Sequence, residues 1–215
     1  MIQLVVDSTA AVPKDFLEQH ANVHVIPLFI SVKGEYVPEN EATIEQVIEY
    51  SESTKKAVPT SQPSTGDFLK LFESLPKEDP IIVICITSGV SGTYNGAVLA
   101  AGQSGRKQIA VINSRTTAVG MMEVLEDGLD MIEKGLSFEE ISKGLQESAS
   151  LMRTTFTVPT LDYLRRGGRV GKAAGLIGSI LKIKPVIFLN DNNEVDVLAK
   201  VRTEKKAAAA MIDYL

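Results

Sequence analysis

Three short segments gather hydroxyl side chains where apolar runs end: Asp7-Ser8-Thr9, Thr60-Ser61, and Thr87-Ser88 with Ser91 and Thr93. In an open α/β sheet, ligands bind beyond the C-terminal ends of the strands, so hydroxyls collected there face a ligand. A hydroxyl can donate to a carboxylate or phosphate oxygen. The free N–H groups of a helix start add partial positive charge aimed at the same point. Gly89 and Gly92 let the backbone come close. Such loops are suited to holding an anion with neutral donors.

A serine nucleophile is the competing chemistry. Gly89-Val90-Ser91-Gly92-Thr93 departs from the G-x-S-x-G elbow only at its fifth position. That fold places its histidine after the serine, whereas His20 and His24, the only histidines, precede Ser91. Only a His, Asp, Ser order could use them. A phosphate loop of the G-x-x-x-x-G-K-[ST] type is absent. A third reading leaves these Ser and Thr residues as helix caps and turn formers.

Two later segments add possibilities. Leu164 to Lys172, "LRRGGRVGK", concentrates Arg165, Arg166, Arg169 and Lys172 in a chain of net charge −5. It reads as solvated surface, as an arginine at a ligand head group, or as a docking patch for a phosphate-carrying partner. Ala173 to Leu181, "AAGLIGSIL", is nearly all apolar with small residues. It reads as core or as the wall of a narrow apolar slot.

The acidic balance argues against general nucleic-acid binding, which needs a basic face. Cys85 is the only cysteine, so no intrachain disulfide and no cysteine-rich metal cluster are expected. Its place inside an apolar run predicts a buried, inert thiol. No stretch has the length of a membrane span, and Ile2 to Val6 is too short for a signal peptide. A cytoplasmic location is the resulting expectation.

The elements that must position these loops alternate. Gln3 to Val6 reads as a short buried strand, and Pro13 fits the first turn of a helix to about His20. Val23 to Val32 reads as one β-branched strand in which Pro27 marks an edge or a bulge. Lys33-Gly34-Glu35 is turn-like. Thr43 caps a helix to about Ser53, and Ser64 caps another to Leu75 after the proline-flanked loop Ala57 to Ser64. Ile81 to Ile86 is a continuous apolar run of the kind found in central parallel strands, and the Ser91 segment then opens a helix to about Gln103. Ile109 to Ile112 is a further strand. Helices over Thr116 to Lys134 and Phe138 to Ala149 follow, the second opening on Ser137 and Glu140 at capping-box spacing.

Residues 1–150 therefore read as an α/β domain with a parallel sheet and helices on both faces. Residues 151–215 read as the start of a smaller α/β domain. Leu151 to Val158 is its first strand, followed by helical sequence broken at Gly167-Gly168. Ile183 to Leu189 and Val195 to Val201 flank Asp191-Asn192-Asn193, a hairpin signal. A helix from Thr203 is still running at Leu215, so this second domain is expected to be incomplete.

In this order and spacing, the segments resemble the DegV family, fatty-acid-binding proteins that include the FakB-type subunits of bacterial fatty acid kinase. The resemblance covers the whole chain. It rests on Asp7-Ser8-Thr9, Ile26-Pro27-Leu28 with Gly34 and Tyr36, Thr60-Ser61-Gln62-Pro63-Ser64, Ser91-Gly92-Thr93-Tyr94, Leu164 with Gly167-Gly168-Arg169, and Ile183-Lys184-Pro185. It implies a two-domain α/β fold with one long-chain fatty acid between the domains. On the matching positions it implies Thr60 and Ser91 as carboxylate donors, with Ser61 and Thr93 beside them. Arg169 and Arg202 match family arginines near the head group or the partner-facing surface. Ile26, Leu28, Leu176, Ile177 and Ile180 are the positions expected along the acyl slot.

The resemblance also implies a partner, a kinase subunit that transfers phosphate from ATP to the bound acid. The chain itself would then supply no catalytic residue, metal or cofactor. Departures from the family pattern are Ala11-Val12, where Asp-Leu is frequent, and Asn113-Ser114, where Asp-Ser is frequent. Family members usually also continue into a His-x-Gly-Pro-Gly-like segment, to which neither His20 nor His24 corresponds. A serine-dependent esterase or acyltransferase using Ser91, or a scaffold that binds no lipid, are the alternatives.

Overall fold

The computed structural model describes residues 1–32, 34–176 and 183–214. In chain order the elements are β1 (Gln3–Asp7), α1 (Lys14–Gln19), β2 (Val23–Ile26), β3 (Phe29–Val32), β4 (Glu35–Pro38), α2 (Ile44–Thr54), β5 (Thr60–Ser61) and α3 (Thr65–Ser74). They continue with β6 (Ile81–Cys85), α4 (Thr93–Gln103), β7 (Ile109–Asn113), α5 (Val119–Glu133), α6 (Phe138–Leu151) and β8 (Thr155–Thr157). The last are α7 (Asp162–Arg166), β9 (Lys184–Leu189), β10 (Val195–Val201) and α8 (Glu204–Ile212).

The main sheet has the order β2-β1-β6-β7 and is parallel throughout. Every residue of β1 and β6 is buried, as continuous apolar runs covered on both faces require. Side chains alternate between two cores. Leu4, Val6, Ile82 and Ile84 pack with Met121, Leu125, Ile141 and Leu145 of α5 and α6. Val5, Ile81, Val83 and Cys85 pack with Phe68 and Phe72 of α3 and Ala97 and Ala100 of α4. Each large side chain so buried contributes roughly 1.5–3 kcal/mol. Both cores close beneath the C-terminal strand ends, which holds the loops leaving β1, β6 and β7 at one edge.

Three local signals act as read. Thr43, Ser64 and Ser137 each close a capping box, with Gln46, Asp67 and Glu140 respectively. The hairpin β9–β10 forms around Asp191–Asn193, joins β8 in an antiparallel order β10-β9-β8, and buries Ile187, Leu189 and Val195 against Ala173. Among the described residues, no helix is long and apolar enough to cross a membrane.

Several expectations are corrected. Val23 to Val32 is two strands: β2 joins the parallel sheet, while β3 starts after Pro27 and pairs antiparallel with β4 and β5 in a separate small sheet. Proline has no N–H to give a ladder, so the chain changes sheets there. Thr60-Ser61 is accordingly a short strand, in register with Ile30 and Phe29, and not a loop. The helix expected from Thr116 starts at Val119, because the Thr116 carbonyl accepts Thr87 N–H at 2.9 Å and Ala118 has φ 50°. The strand expected from Leu151 starts at Thr155, since α6 runs on through Leu151. The final helix ends at Ile212, beyond which the Tyr214 ring packs edge-on to Phe188 at 5.3 Å between centroids.

Candidate functional site

At the end of β1 the hydroxyls turn inward. Asp7 is fully buried, and its carboxylate accepts from Ile86 N–H at 2.6 Å, Thr9 N–H at 3.0 Å and the Thr9 hydroxyl at 2.5 Å. Burial raises the Asp7 carboxyl above its ordinary 3.8, and the hydrogen bonds from Thr9 and Ile86 oppose that rise. Ser8 is equally committed. Its Oγ accepts Leu28 N–H at 2.9 Å and donates to Glu39 Oε2 at 2.5 Å. The Asp7-Ser8-Thr9 loop is therefore a lock between β1, β6 and the start of β3, not a set of free donors.

At the end of β6 the hydroxyls meet no acid. Thr87 carbonyl accepts Val90 N–H at 3.2 Å and Ser91 N–H at 3.4 Å, which folds the loop into a tight turn. Ser91 Oγ lies 2.9 Å from Thr93 Oγ1, and Thr93 is fully buried. Ser91 is thus held in place by a fixed neighbour while itself half-buried. Helix α4 starts at Thr93, and its cap residue Gly92 gives no side-chain hydrogen bond to the first turn. An α-helix with uncapped first-turn N–H groups attracts negative charge.

The Thr60 segment meets this helix start through Gln62. A methyl group on Gly92 would lie 2.1 Å from Gln62 Oε1, and one on Gly96 would lie 3.3 Å from Gln62 Nε2. Both positions need glycine or a small shift of the glutamine. This contact sets the exposed end of β5 beside the start of α4. The Thr60 hydroxyl bonds to no described residue, while Ser61 Oγ reaches only the carbonyl of its neighbour Gln62, at 3.2 Å.

Asn113 ties the same turn to the end of β7. Its Oδ1 accepts from Ser88 N–H and Arg115 N–H, both at 3.2 Å, and its Nδ2 donates to Ser88 Oγ at 2.8 Å. An aspartate there would instead take the Ser88 hydroxyl as a donor. From the second unit, the hairpin turn presses on this loop. Arg115 donates to Asp191 carbonyl at 2.9 Å, and a methyl on Gly89 would lie 1.7 Å from Asn193 carbonyl oxygen.

The remaining expected site residues divide. Arg169 reaches the loop, donating from Nε to Val90 carbonyl at 3.1 Å and from a terminal nitrogen to Gly167 carbonyl at 2.6 Å. It therefore fixes the backbone next to Ser91. Arg202 is exposed just past β10, at the end of the hairpin opposite the Asp191–Asn193 turn. Ile26 is 3% exposed and packs with Val5, Phe68 and Val83 in the sheet core. Leu28 and Leu176 are half-buried, while Ile177 and Ile180 lie outside the described residues.

Arg165 and Arg166 both pair with Asp162, and Lys172 pairs with Glu194 and Asp196. Three of the run's four basic residues are thereby paired with acids, and Arg169 donates to carbonyls. His24 Nε2 lies 2.7 Å from Gln3 Oε1 with its pKa lowered by burial, and His20 stacks on Phe16. Neither histidine bonds to Ser91, so neither is placed as its base. Cys85 is buried, and desolvation together with the Asp7 charge holds its thiol well above 9.0. Among the described residues no cluster of His, Cys, Asp or Glu is placed to hold a metal.

The hydroxyl criterion passes over Gln62, Asn113 and Arg115. Gln62 lies inside the Thr-Ser-Gln-Pro run, yet nothing in its spacing points to Gly92. Asn113 showed only as a departure from a frequent aspartate.

A family model described as "Uncharacterised protein, DegV family" matches residues 1–215. A DegV domain-containing protein of Staphylococcus aureus (strain COL) is 35% identical over 214 residues, which is 99% of this chain and 74% of the relative. Among solved structures, a DegV family protein from Thermus thermophilus described for its fatty acid binding superposes with a TM-score of 0.89. It is 29% identical, and the match covers 99% of this chain and 76% of that one. A stearic-acid-binding protein from Eubacterium ventriosum superposes with a TM-score of 0.84 at 30% identity, over 100% of this chain and 75% of the other.

Proposed function

Because this chain belongs to the DegV family, we propose that it binds a long-chain fatty acid, holding the carboxylate at the meeting point of β5 and α4. Thr60 and Ser91 are the donors. Ser61 stands beside Thr60, and Thr93 orients Ser91. One observation carries this reading: Gln62 packs on Gly92 and brings two hydroxyl segments, distant in sequence, to one helix start. The solved relatives described as binding fatty acid or stearic acid support the choice of ligand.

The energetics divide the labour. An acyl chain gains about 0.8 kcal/mol per buried methylene. Much of that is lost to ordering the chain and to lost translational freedom. The tail supplies affinity, and Leu28, Leu176, Ile177 and Ile180 are the proposed positions along it. The hydroxyls supply orientation. Residues 1–150 and 151–215 act as the two halves of the site, with Arg169 crossing to the Ser91 loop.

A carboxylate presented by neutral donors keeps its charge and its nucleophilic oxygens. We further propose that a kinase subunit phosphorylates it from ATP while it stays bound, giving an acyl-phosphate. Exposed Arg202 is the proposed docking residue for that subunit. Mass spectrometry of lipid extracted from the purified protein tests the core reading, with one fatty acid per chain as the expected result. A protein that takes up no palmitate when offered it would sink the proposal.

A further inference from the structure

We propose that Thr87 is a further head-group donor, placed beneath Ser91 to take the second carboxylate oxygen; this deepens the fatty-acid reading and rests on it. Among the described residues, Thr87 Oγ1 is the buried side-chain polar atom without a hydrogen-bond partner, and the residue is 0% exposed. Leaving a buried hydroxyl unsatisfied costs about 1–3 kcal/mol. The fold carries that cost at the one loop where a ligand oxygen is expected.

The strand sets the direction of this side chain. Ile82, Ile84 and Ile86 pack toward Met121 and Leu125, while Ile81, Val83 and Cys85 pack toward Ala97 and Ala100 of α4. Continued two residues past the end of β6 at Cys85, that alternation would send Thr87 to the α4 side. There Gly92 offers this 11-residue helix no side-chain cap, and the Thr93 N–H reaches Ser91 Oγ at 3.4 Å. The Thr87 carbonyl accepts Ser91 N–H at 3.4 Å, so the two hydroxyl residues sit one turn apart. Thr87 Oγ1 is closed to solvent, so a carboxylate oxygen reaches it only when the turn between Ser88 and Gly92 yields. Glycines 89 and 92 bracket the segment that must move.

The test compares full-length wild type, Thr87→Val and Thr87→Ser for palmitate affinity and melting temperature. Thr87→Val keeps the shape and removes the hydroxyl. It should bind palmitate about fivefold more weakly and melt at or above the wild-type temperature. Thr87→Ser should bind like the wild type. A Thr87→Val protein that binds as tightly as wild type shows that the ligand ignores this hydroxyl and overturns the inference. One that melts well below wild type shows that the fold uses the hydroxyl, and overturns it equally. Wild type that takes up no palmitate brings down the fatty-acid reading, and this inference with it; binding unchanged in Thr87→Val brings down this inference alone.

Discussion

The loops that leave β1 and β6 begin alike, each placing hydroxyl residues within two residues of the end of a fully buried parallel strand. Their hydroxyls then do opposite things. After β1, Ser8 and Thr9 are bound to Leu28, Glu39 and Asp7, within the fold. After β6, among the described residues, the Thr87 hydroxyl has no partner and the Ser91 hydroxyl meets only Thr93. Two acids account for the contrast: the buried Asp7 carboxylate takes Thr9 and Ile86 N–H, and Glu39 takes the Ser8 hydroxyl. The β6 loop contains no acid, and on the proposed reading Thr87 and Ser91 serve one that comes from outside. On that reading, a hydroxyl-rich loop is a lock where the fold brings it an anion and a site where the fold does not.

The largest expected effect follows from removing that internal anion. In Asp7→Asn, one carboxylate oxygen becomes an NH2 group facing Ile86 N–H, leaving a buried donor without an acceptor. The expected loss is about 2–3 kcal/mol, read by urea denaturation. The pH dependence has a definite sign. The folded state holds the Asp7 proton more tightly than the unfolded chain, whose value is near 3.8. This group's contribution to stability is therefore complete below that pH, and is lost as pH rises through the raised folded value. The deficit of Asp7→Asn should be largest in acid and shrink toward neutrality. A deficit that grows with pH would show that Asp7 is stabilised as an anion and that its hydrogen bonds outweigh burial.

Gly89→Ala probes what presses on the open loop. Its methyl would meet Asn193 carbonyl oxygen at 1.7 Å, a backbone atom that cannot rotate away. Relief requires the hairpin turn to lift, at a cost of about 1–3 kcal/mol. Hydrogen exchange should quicken at residues 190–193 while β1 and β6 keep their protection. Uniform loss of protection would mean that the two units unfold together and that the contact is no separate hinge.

Sequence alone made the strands and caps readable, because those depend on neighbours. The apolar run at Ile81, the Asp191-Asn192-Asn193 turn and the capping boxes each contain their own explanation. Pro27 was visible, yet whether it bends a strand or moves the chain into another sheet depends on β5, which arrives some thirty residues later. The site was half-legible for the same reason. Thr60 and Ser91 stood out by residue type, but nothing local says that Gln62 reaches Gly92, or that Asp7 accepts from a residue 79 positions away. Those pairings decide which hydroxyls are free, and they exist only once the sheet has assembled.

Ser91→Ala and Ser8→Ala then form a matched pair with crossed outcomes. Ser91→Ala removes a donor to the proposed ligand, and a hydrogen bond to a charged oxygen corresponds to about tenfold in palmitate affinity. Its fold should change by less than about 0.5 kcal/mol, since Ser91 satisfies little beyond Thr93.

Ser8→Ala should do the reverse. It strips Leu28 N–H of its acceptor and Glu39 of its donor, costing about 1 kcal/mol of stability. Palmitate affinity should not move, because Ser8 spends both its donor and its acceptor within the fold. Weakened palmitate binding in Ser8→Ala at unchanged stability would show that the β1 loop reaches the ligand too. The carboxylate would then be gripped from two strand ends, and the division between lock and site would have to be redrawn around Glu39, the acid that already accepts from the same hydroxyl.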